Sequence, residues 1–355
     1  MKNVFLESHN IKNQFNGFGQ FNHHLIKGLY NAEISDFKIT LNAKDTSALK
    51  KEFGDYYNYN KYKSLSRKPL FRIRKKYDVW HCLNQNIKVE PYHNIPYVLT
   101  VHDVNFIDEV SNDLNHETNK RFIEKLNRSS AITYISEFAK ASTHKYFKVP
   151  KVPEYVIYNG NPIKALLDLS QTNIKPVTKR PYLFFIGGLT KRKNVHTLVQ
   201  MLEHLPDYDL VLAGDDSDNY VKTILAKTLK QTKTNNRVHC IGKVNAEEKQ
   251  YYLQHCAAFV FPSLLEGFGI PPIEAMRFGK PVFLSNLTSL PEIGGDYAFY
   301  WDNFEPKYMA EVFKKGMHTF ETNKATYEKA YIERAISFNW DKAALEYAAV
   351  YRSLL

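Results

Sequence analysis

The segment EGFGIPPIEAM, residues 266–276, places two glutamates eight positions apart across a glycine-rich turn and two consecutive prolines. Proline is tolerated in the first turn of a helix, because the backbone N–H that it lacks has no helical partner there. The segment therefore predicts a helix that begins near Ile270 and ends at MRFGKP. Glu266 then lies in the loop and Glu274 about one turn inside the helix, so both carboxylates can face one ligand.

Short apolar runs alternate with longer amphipathic runs along the chain, which is the βαβ rhythm of parallel sheets. One series of strand candidates comprises NVFLES (3–8), FKITLNA (37–43), YDVWHCL (77–83), PYVLTVHD (96–103), SAITYIS (130–136) and YVIYNG (155–160). A second comprises YLFFIGG (182–188), YDLVLAGD (208–215), RVHCIGK (237–243), AAFVFPS (257–263), PVFLSN (281–286) and AFYWD (298–302). The sequence predicts an α/β protein of two Rossmann-like, doubly wound domains that face each other across a cleft.

A polar segment between the two series, residues 159–181, contains Pro162 and Pro176 and suits a linker. The predicted domains are residues 1–165 and 176–338. A C-terminal helix at about 340–355 is expected to pack back on the first domain.

Composition limits the class of protein. With 355 residues, 44% of them apolar, the chain can build about two cores of ordinary domain size. Its longest uncharged apolar run, residues 256–265, is about half as long as a membrane-spanning helix, and MKNVFLESHN lacks the apolar region of a signal peptide. Cys82, Cys240 and Cys256 are widely spaced and support neither a disulfide framework nor a zinc site. A reducing cytoplasm is the expected location.

The net charge of +11 is unevenly distributed, since residues 1–164 contain 25 basic and 16 acidic residues. Much of the excess lies in KYKSLSRKPLFRIRKKYD, residues 61–78, where Phe71 and Ile73 alternate with arginines. Such a run can bind anionic lipid head groups, nucleic acid or an anionic substrate, or it can simply keep the protein soluble.

Ligands bind at the carboxyl ends of parallel strands, and four predicted loops at such positions are unusual. NGFGQFNHHL places Gly17 and Gly19 before a helix, where glycines let the backbone approach a phosphate or sugar, although a plain tight turn explains them almost as well. TVHDVNF ends a strand with His102, which can donate to a sugar hydroxyl or a phosphate, and Asp103 is placed to fix its tautomer.

The third loop, GGLTKRKN at 187–194, brings the cations Lys191–Lys193 to the start of a helix. That end of a helix repels cations unless both share a bound anion, so the loop predicts a diphosphate site. A solvated basic turn with Asn194 as helix N-cap is the alternative. The fourth loop is 266–276, whose carboxylates can accept paired hydrogen bonds from vicinal hydroxyls. It predicts a site for two sugar rings, one on each side of a phosphate.

Residues 261–302, FPSLLEGFGIPPIEAMRFGKPVFLSNLTSLPEIGGDYAFYWD, resemble the signature region of retaining glycosyltransferases of the GT-B fold, family 4, also described as glycosyl transferases group 1. FFIGGLTKRKN, VHDVNF, YISEFAK, VIYNG and FNWDKAALEYAAVYRSLL are similar to the family's other landmarks, in the same order. The resemblance covers essentially the whole chain and is greatest to bacterial surface-polysaccharide transferases. It implies transfer of a hexose from a GDP- or UDP-linked sugar to a glycan or lipid-linked oligosaccharide, with retention of anomeric configuration, in lipopolysaccharide, capsule or exopolysaccharide biosynthesis.

The resemblance also implies roles for matching residues. Glu274 would bind the donor ribose, and Glu266 would hold hydroxyls of the transferred sugar. The backbone of Phe268, Gly269 and Ile270 would contact the sugar and the phosphate.

Two further sets of residues match the family. Lys193 and Arg192 would neutralise the departing diphosphate, whose negative charge grows in the transition state. His102 matches a histidine of the amino-terminal domain, and Gly17 with Gly19 match that domain's glycine loop. Many relatives have arginine where this chain has Gly188, so the diphosphate contact would rest on Arg192 and Lys193 alone.

No metal and no cofactor besides the nucleotide sugar are expected. AGDDSDN, residues 213–219, mimics the metal-binding DxD of the other large glycosyltransferase fold, but relatives of the GT-B fold use basic side chains and helix dipoles instead of a divalent ion.

Two alternative functions stay open, namely a nucleotide-sugar epimerase of the same fold and a nucleic-acid-binding module built on the basic run. A dehydrogenase is disfavoured because GxGxxG with a downstream acidic residue is missing. The favoured interpretation excludes nucleic acid as a partner. It places a cytoplasmic protein peripherally on the inner leaflet, through the basic residues of Lys61–Lys76.

Overall fold

Two units can be distinguished along the chain. The computed structural model describes residues 1–13, 17–170, 172–216 and 218–355. Unit 1 comprises Met1–Pro162 and Asn339–Leu355, and unit 2 comprises Ile163–Phe338. The chain thus leaves unit 1 after Pro162 and returns to it at Asn339.

Unit 1 is built on a parallel sheet that has seven strands within the described residues, in the order β3-β2-β1-β4-β5-β6-β7. The strands are β1 (Asn3–Leu6), β2 (Lys38–Ala43), β3 (Asn58–Lys61), β4 (Val79–Cys82), β5 (Tyr97–Val101), β6 (Ala131–Tyr134) and β7 (Glu154–Val156). Central strands such as β4 and β5 are buried along their whole length, so their sequences are apolar runs without alternation. β3 is a polar edge strand that the sequence pattern did not predict.

Helices connect these strands. They are α1 (Gly17–Asn31), α2 (Thr46–Phe53), α3 (Phe106–Glu109), α4 (Glu117–Arg128) and α5 (Glu137–Tyr146), with 3-10 turns at His9–Lys12, Ser64–Arg67 and Pro69–Phe71. Side-chain caps fix the starts of α2, α4 and α5. Asp45 accepts from the Ala48 N–H, His116 from the Thr118 N–H and Ser136 from the Ala139 N–H.

Unit 2 repeats the plan. Its parallel sheet has six strands in the described part of the chain, in the order β10-β9-β8-β11-β12-β13. The strands are β8 (Tyr182–Ile186), β9 (Asp209–Ala213), β10 (Val238–Gly242), β11 (Ala258–Phe261), β12 (Val282–Ser285) and β13 (Phe299–Trp301). The helices are α6 (His196–Met201), α7 (Ala226–Gln231), α8 (Ala246–His255), α9 (Ile270–Met276), α10 (Leu290–Gly294), α11 (Pro306–Thr322) and α12 (Lys324–Ser337). Short turns lie at Lys191–Lys193, Leu202–His204 and Asn235–Arg237, and a π-helical turn lies at Val221–Leu225.

The last helix, α13 (Trp340–Arg352), belongs to unit 1 and packs on α1. Gly28 permits the contact, because a Cβ at this position would lie 2.7 Å from the Trp340 carbonyl oxygen. Tyr351 of α13 reaches the sheet, where its hydroxyl lies 2.7 Å from Nδ1 of the buried His81.

Both sheets follow the doubly wound order 3-2-1-4-5-6, which confirms the predicted α/β class with two Rossmann-like sheets. In this order the connections reverse direction beside the first strand, between β1 and β4 in unit 1 and between β8 and β11 in unit 2. The crevice at the carboxyl ends of such a strand pair is the usual ligand site.

The segment predicted as a linker makes hydrogen bonds to α8 of unit 2. Ile163 is buried, the Leu167 N–H donates to the side chain of Gln250 on α8, and Thr172 donates to Glu247 of the same helix. Among the described helices, none combines the length and the apolar character needed to cross a bilayer.

Candidate functional site

The reversal point of unit 2 brings together the loop after β8 and the loop after β11. The first loop carries Lys191–Lys193 and the second carries Glu266. A backbone bond joins them, since the Leu264 N–H donates to the Arg192 carbonyl at 2.8 Å. The two predicted ligand loops therefore form one surface.

Lys193 and Glu266 form an ion pair at this surface, and both side chains are nearly buried. The Lys193 ammonium also lies 4.7 Å from the centre of the Phe261 ring, a cation–π distance. Ser263 donates to the same Glu266 oxygen at 2.5 Å. The pair is thus held in place by side chains from both loops.

Burial would raise the pKa of Glu266, but the charges of Lys193 and Arg192, with hydrogen bonds from Lys193 and Ser263, hold it below its usual value. Burial also lowers the pKa of Lys193, against the opposing effect of Glu266. At neutral pH the carboxylate is ionised, so Glu266 can only accept hydrogen bonds.

Arg192 is the second cation of the site. Its guanidinium donates to the Leu265 carbonyl and lies 3.6 Å from Glu266 Oε1, while about a third of the side chain remains exposed. Lys191 is exposed. The three consecutive cations therefore differ in burial, and Arg192 and Lys193 are the two that reach Glu266.

The backbone of the third loop differs from its expected form. Lys191–Lys193 form a 3-10 turn that ends at Asn194 in the left-handed conformation, with φ of 56°. Asn194 therefore closes this turn and is not the N-cap of α6. Gly188 stands before the turn, where a Cβ would meet nothing within 4 Å, so packing does not require glycine there.

The loop after β11 is held in place by Ser289, which directly precedes α10. Ser289 donates to the carbonyls of Glu266 and Phe268 at 3.0 and 2.8 Å. Gly269 has φ of 112°, a conformation that favours glycine, and Ile270 begins α9 as predicted. Phe268 is buried and its ring packs edge-on against Phe338.

Glu274 lies inside α9 and is 3% exposed. Its Oε1 lies 2.5 Å from Nζ of Lys249, which projects from α8. A buried carboxylate beside a partly exposed ammonium can bind a vicinal diol through its second oxygen. Lys249 belongs to no motif found in the sequence.

In unit 1, His102 follows β5 and is buried among aromatic rings. Its Nε2–H donates to the Leu83 carbonyl at 2.8 Å, and the rings of Phe18 and Phe21 pack edge-on against it at 4.9 and 4.6 Å. Burial lowers the pKa of His102 to about 4, so the ring is neutral at pH 7 with Nδ1 as an acceptor. The Leu83 carbonyl sets this tautomer, the role that the sequence suggested for Asp103.

Gly17 and Gly19 lie in the first turn of α1, on either side of Phe18 and thus close to His102. A Cβ on Gly19 would lie 1.8 Å from the Asn13 carbonyl oxygen, so close backbone packing requires glycine there. Gly17 has open space around it.

Two of the three aspartates of AGDDSDN make local contacts. Asp215 lies 3.1 Å from the Lys243 ammonium, and Asp216 accepts from the Val221 N–H at the start of a helical turn. Ser217 lies outside the described residues. Within the described ranges, no cluster of three or more His, Cys, Asp or Glu side chains suits a metal ion.

Comparison with known families shows that the Lys193–Glu266 ion pair lies in a region shared with a known family. The family model described as "Glycosyl transferases group 1" matches residues 170–337, which hold both loops of the site. This stretch, a little under half of the chain, is thus similar to the glycosyl transferases group 1 family.

Two curated relatives are similar to this chain. O-antigen chain mannosyltransferase B of Escherichia coli is 28% identical over 56% of this chain and 55% of the relative. O-antigen chain mannosyltransferase RfbU of Salmonella typhimurium is 26% identical over 61% of each. The matches thus span less than two thirds of these relatives.

Solved structures resemble the chain over nearly its whole length. Sucrose-phosphate synthase from Thermosynechococcus elongatus superposes with a TM-score of 0.75 at 18% identity, covering 100% of this chain and 99% of that structure. Anabaena HepE in complex with UDP-glucose superposes with a TM-score of 0.72 at 19% identity, covering 99% and 100%. This likeness shows the GT-B fold.

Some residues of this site were not predicted from the sequence. Lys249 approaches Glu274 across 25 positions, and Thr288 accepts from the Glu266 N–H across 22. Neither lies in a short motif, so only the three-dimensional structure shows these contacts. Ser263 stands three residues before Glu266, and that spacing was the one available signal.

Proposed function

We propose that the chain is a glycosyltransferase of bacterial surface-polysaccharide biosynthesis, which moves a hexose from a nucleotide sugar to a glycan or lipid-linked acceptor. The reaction retains the anomeric configuration and needs no metal. The observation that carries the proposal is the buried Lys193–Glu266 pair, with Arg192 beside it, in the stretch that is similar to the glycosyl transferases group 1 family. The O-antigen mannosyltransferases among the relatives support this class of reaction.

The two cations suit the donor diphosphate. A bound diphosphate would compete with Glu266 for the charge of Lys193, and Arg192 lies near enough to share it. As the glycosidic bond breaks, negative charge grows on the leaving phosphate. Cations held in a nearly buried site stabilise that charge more strongly than they would in water.

The two carboxylates suit hydroxyls on opposite sides of the diphosphate. Glu266, released from Lys193, would accept hydrogen bonds from the transferred sugar. Glu274 would accept them from the ribose, with Lys249 keeping its charge compensated. The complex of HepE with UDP-glucose, a structural neighbour, supports a nucleotide-sugar donor. GDP- and UDP-linked sugars both fit this scheme.

Retention is proposed through a front-face route in which the leaving phosphate helps to deprotonate the acceptor hydroxyl. Glu266 would position the transferred sugar, and His102 would bind a sugar hydroxyl. Because His102 is neutral at pH 7, it would accept a hydrogen bond at Nδ1 and add no positive charge.

The protein is proposed to work in the cytoplasm, docked on the inner leaflet. Within the basic run, Leu70 and Phe71 lie on a 3-10 turn with 82% and 52% of their surfaces exposed. Basic residues flank this turn on both sides. Each such residue near an anionic surface contributes on the order of 1 kcal/mol, so a few suffice for reversible docking.

The enzymatic proposal is tested with a panel of UDP- and GDP-sugars and lipid-linked glycan acceptors. We expect one donor to release its nucleotide only when an acceptor is present, and NMR to show an unchanged anomeric configuration in the product. An inverted product would overturn the retaining mechanism. Acceptor-independent nucleotide release with an epimerised free sugar would instead identify an epimerase.

Docking is tested by co-sedimentation with anionic and neutral vesicles. Recovery should be greater on anionic vesicles and should fall at about 0.5 M salt, since screening shortens the range of the attraction. Replacing Arg72, Arg74, Lys75 and Lys76 by serine should abolish the difference. Equal recovery on both vesicle types would contradict membrane docking and would indicate that the basic run only keeps the protein soluble.

A further inference from the structure

The two carboxylates of unit 2 differ in the partner that would stay beside them when a donor is bound. Glu274 pairs with Lys249, which keeps its place in the proposed scheme. Glu266 pairs with Lys193, and a bound diphosphate would draw the ammonium of Lys193 away from it. Removing one partner of a nearly buried ion pair leaves a charge that is costly to keep. Glu266 therefore needs another hydrogen-bond donor in the bound state.

Ser263 is such a donor. Its hydroxyl donates to Oε1 of Glu266 at 2.5 Å, and Oε1 is the oxygen that pairs with Lys193. The guanidinium of Arg192 approaches the same oxygen, at 3.6 Å. An ionised carboxylate accepts hydrogen bonds at both of its oxygens, so a sugar hydroxyl can bind at Oε2. The hydroxyl of Ser263 thus holds one oxygen of Glu266 and leaves the other for the sugar.

The surroundings of Ser263 hold it in place without the side chain of Lys193. Ser263 is fully buried after β11, and its carbonyl accepts from the hydroxyl of Ser285 at the end of β12. The next residue, Leu264, donates its N–H to the Arg192 carbonyl at 2.8 Å. These bonds can persist when the ammonium of Lys193 turns towards a diphosphate.

The main chain of Glu266 is also held without Lys193. The Glu266 N–H donates to Oγ1 of Thr288 at 3.1 Å, and the Glu266 carbonyl accepts from Ser289 at 3.0 Å. Thr288 has φ of 57°, a left-handed conformation that is unfavourable for a β-branched residue. Backbone strain of this kind persists only where the surrounding structure imposes it, and it is concentrated at functional sites. The main chain of Glu266 is therefore fixed while its side chain exchanges partners.

We propose that Ser263 is a positioning residue, which keeps Oε1 of Glu266 in place after Lys193 has moved to the donor diphosphate. The exchange makes and breaks no covalent bond, because the ammonium passes from a carboxylate oxygen to a phosphate oxygen while the hydroxyl of Ser263 stays on Oε1. Ser263 acts through Glu266 and does not touch the donor. The identity of the ligand rests on the proposed glycosyltransferase function, whereas the contacts of Ser263 are a property of the site itself.

The first test needs no transfer reaction. NMR follows the titration of Glu266 in the full chain, isotopically labelled at its glutamate carboxyl carbons, and Glu266→Gln identifies the signal. Each protein is titrated free and saturated with pyrophosphate, UDP or GDP. In the free chain the charges of Lys193 and Arg192 hold the pKa of Glu266 low, so Ser263→Ala should raise it only slightly. With a diphosphate bound, Ser263→Ala should raise the pKa of Glu266 distinctly more.

Two results of this titration would overturn the proposal. An equal rise of the Glu266 pKa in the free and the bound chain would show that the hydroxyl is only a neighbour of the carboxylate. Failure of all three probes to bind would leave Lys193 without a diphosphate to move to.

Further variants separate the hydroxyl from the packing at position 263. Ser263→Thr keeps a hydroxyl and should restore the titration of Glu266. Ser263→Cys keeps the size of the side chain but donates weakly, so it should resemble Ser263→Ala and replaces it if that variant does not fold. Thr228→Val is the control, since it removes a buried hydroxyl that donates to the Ile224 carbonyl elsewhere in unit 2, and it should leave the titration unchanged. Circular dichroism checks that each variant is folded, and a folded Ser263→Thr without rescue would count against the proposal.

The second test is kinetic. The pH profile of kcat reports groups of the enzyme–substrate complex, and that of kcat/KM reports groups of the free enzyme. Ser263→Ala should lower kcat by about 10- to 100-fold, the usual cost of losing a hydrogen bond to a charged group, with little change in KM for the donor. The acid limb of the kcat profile should move to higher pH, and the acid limb of kcat/KM should move less. A change in KM alone, or equal movement of both limbs, would contradict the proposal.

The two tests separate two kinds of failure. If Ser263→Ala alters the titration of Glu266 mainly in the bound chain but no sugar is transferred, the proposed function fails while the role of Ser263 stands. If sugar is transferred but Ser263→Ala leaves the titration of Glu266 unchanged, the role of Ser263 fails while the proposed function stands.

Discussion

The reversal points of the two sheets use a carboxylate in different ways. In unit 2, Glu266 pairs with Lys193, and Arg192, whose guanidinium stays charged, lies beside it. In unit 1, Glu7 pairs with His9, whose charge depends on protonation. The same strand order therefore supports a fixed cationic site in one unit and an adaptable one in the other.

This difference suits different ligands. A diphosphate is always charged, and the guanidinium of Arg192 is charged at any pH at which the protein is folded, so the two can interact without a proton transfer. An imidazole oriented by a buried carboxylate can instead accept a hydrogen bond from a hydroxyl when neutral, or donate one to an anion when protonated. The loops that follow the strands, and not the shared strand order, therefore decide which ligand each unit can bind.

The largest expected effect tests the cation that pairs with Glu266 in unit 2. Lys193→Gln removes the charge but keeps a donor for Glu266. We expect kcat/KM for donor and acceptor to fall by about 10²- to 10³-fold, the usual cost of losing one stabilising group of this kind. Lys191→Gln, its exposed neighbour, should change the rate by less than about threefold. Steady-state kinetics measure both, and equal small effects would remove the distinction between the two reversal points.

A smaller effect is expected at Glu274. Glu274→Ala should weaken binding of the cognate nucleotide by about 1 to 3 kcal/mol, because charge-assisted bonds to the ribose are lost. Glu311→Ala, on an exposed position of α11, is the matched control. Calorimetry with UDP and GDP measures the change. Unchanged affinity for the better nucleotide would exclude Glu274 as the ribose ligand.

The smallest effect is a difference in acid sensitivity between the units. Burial lowers the pKa of His102 to about 4 and that of His81 to about 3, so unit 1 gains stability from neutral histidines. This contribution is complete above pH 6.5 and is lost as pH falls toward the native pKa values, because the unfolded chain then binds protons that the native state does not. Between pH 6.5 and 5.5, each histidine lowers the free energy of unfolding of unit 1 by up to about 1.4 kcal/mol.

The stability of unit 2 should begin to fall only at a lower pH than that of unit 1. The pKa of Glu266 is held below 4.5, so its contribution is present above that value and is lost only in stronger acid. His196, whose pKa is lowered by burial, is only half-buried. Hydrogen exchange of peptides from each sheet, corrected for intrinsic rates, compares the units between pH 6.5 and 5.5. His102→Gln should reduce the difference, and equal pH dependence of the two sheets would contradict it.

Periodicity was a sufficient guide to the sheets. Parallel strands covered on both faces are apolar runs, and the twelve predicted runs correspond to strands. β3 was missed because its sequence, NYNK, is polar and half-exposed at the sheet edge. β3 is held by its pairing with β2, and the local sequence pattern does not predict such a pairing.

The candidate site was predictable only where one loop held it. The cations of GGLTKRKN and the carboxylates of EGFGIPPIEAM were visible as motifs, but their pairing across 73 positions was not. The alternative interpretation, with Asn194 as the N-cap of α6, was wrong, because Asn194 ends the preceding 3-10 turn in the left-handed conformation.

One consequence follows from the way the chain returns to unit 1 after Phe338. Residues 339–355 supply Tyr351 to His81 and the partner helix for α1, so the amino-terminal sheet cannot complete its core until they have been made. Unit 2 is a continuous segment that ends at Phe338, so it has been synthesised in full before residues 339–355 are made. During translation, unit 2 can therefore fold before unit 1 is complete, and we expect the amino-terminal segment to expose apolar surface until then. The order of synthesis and the order of folding are inverted, which makes the nascent amino-terminal half the natural client of a chaperone.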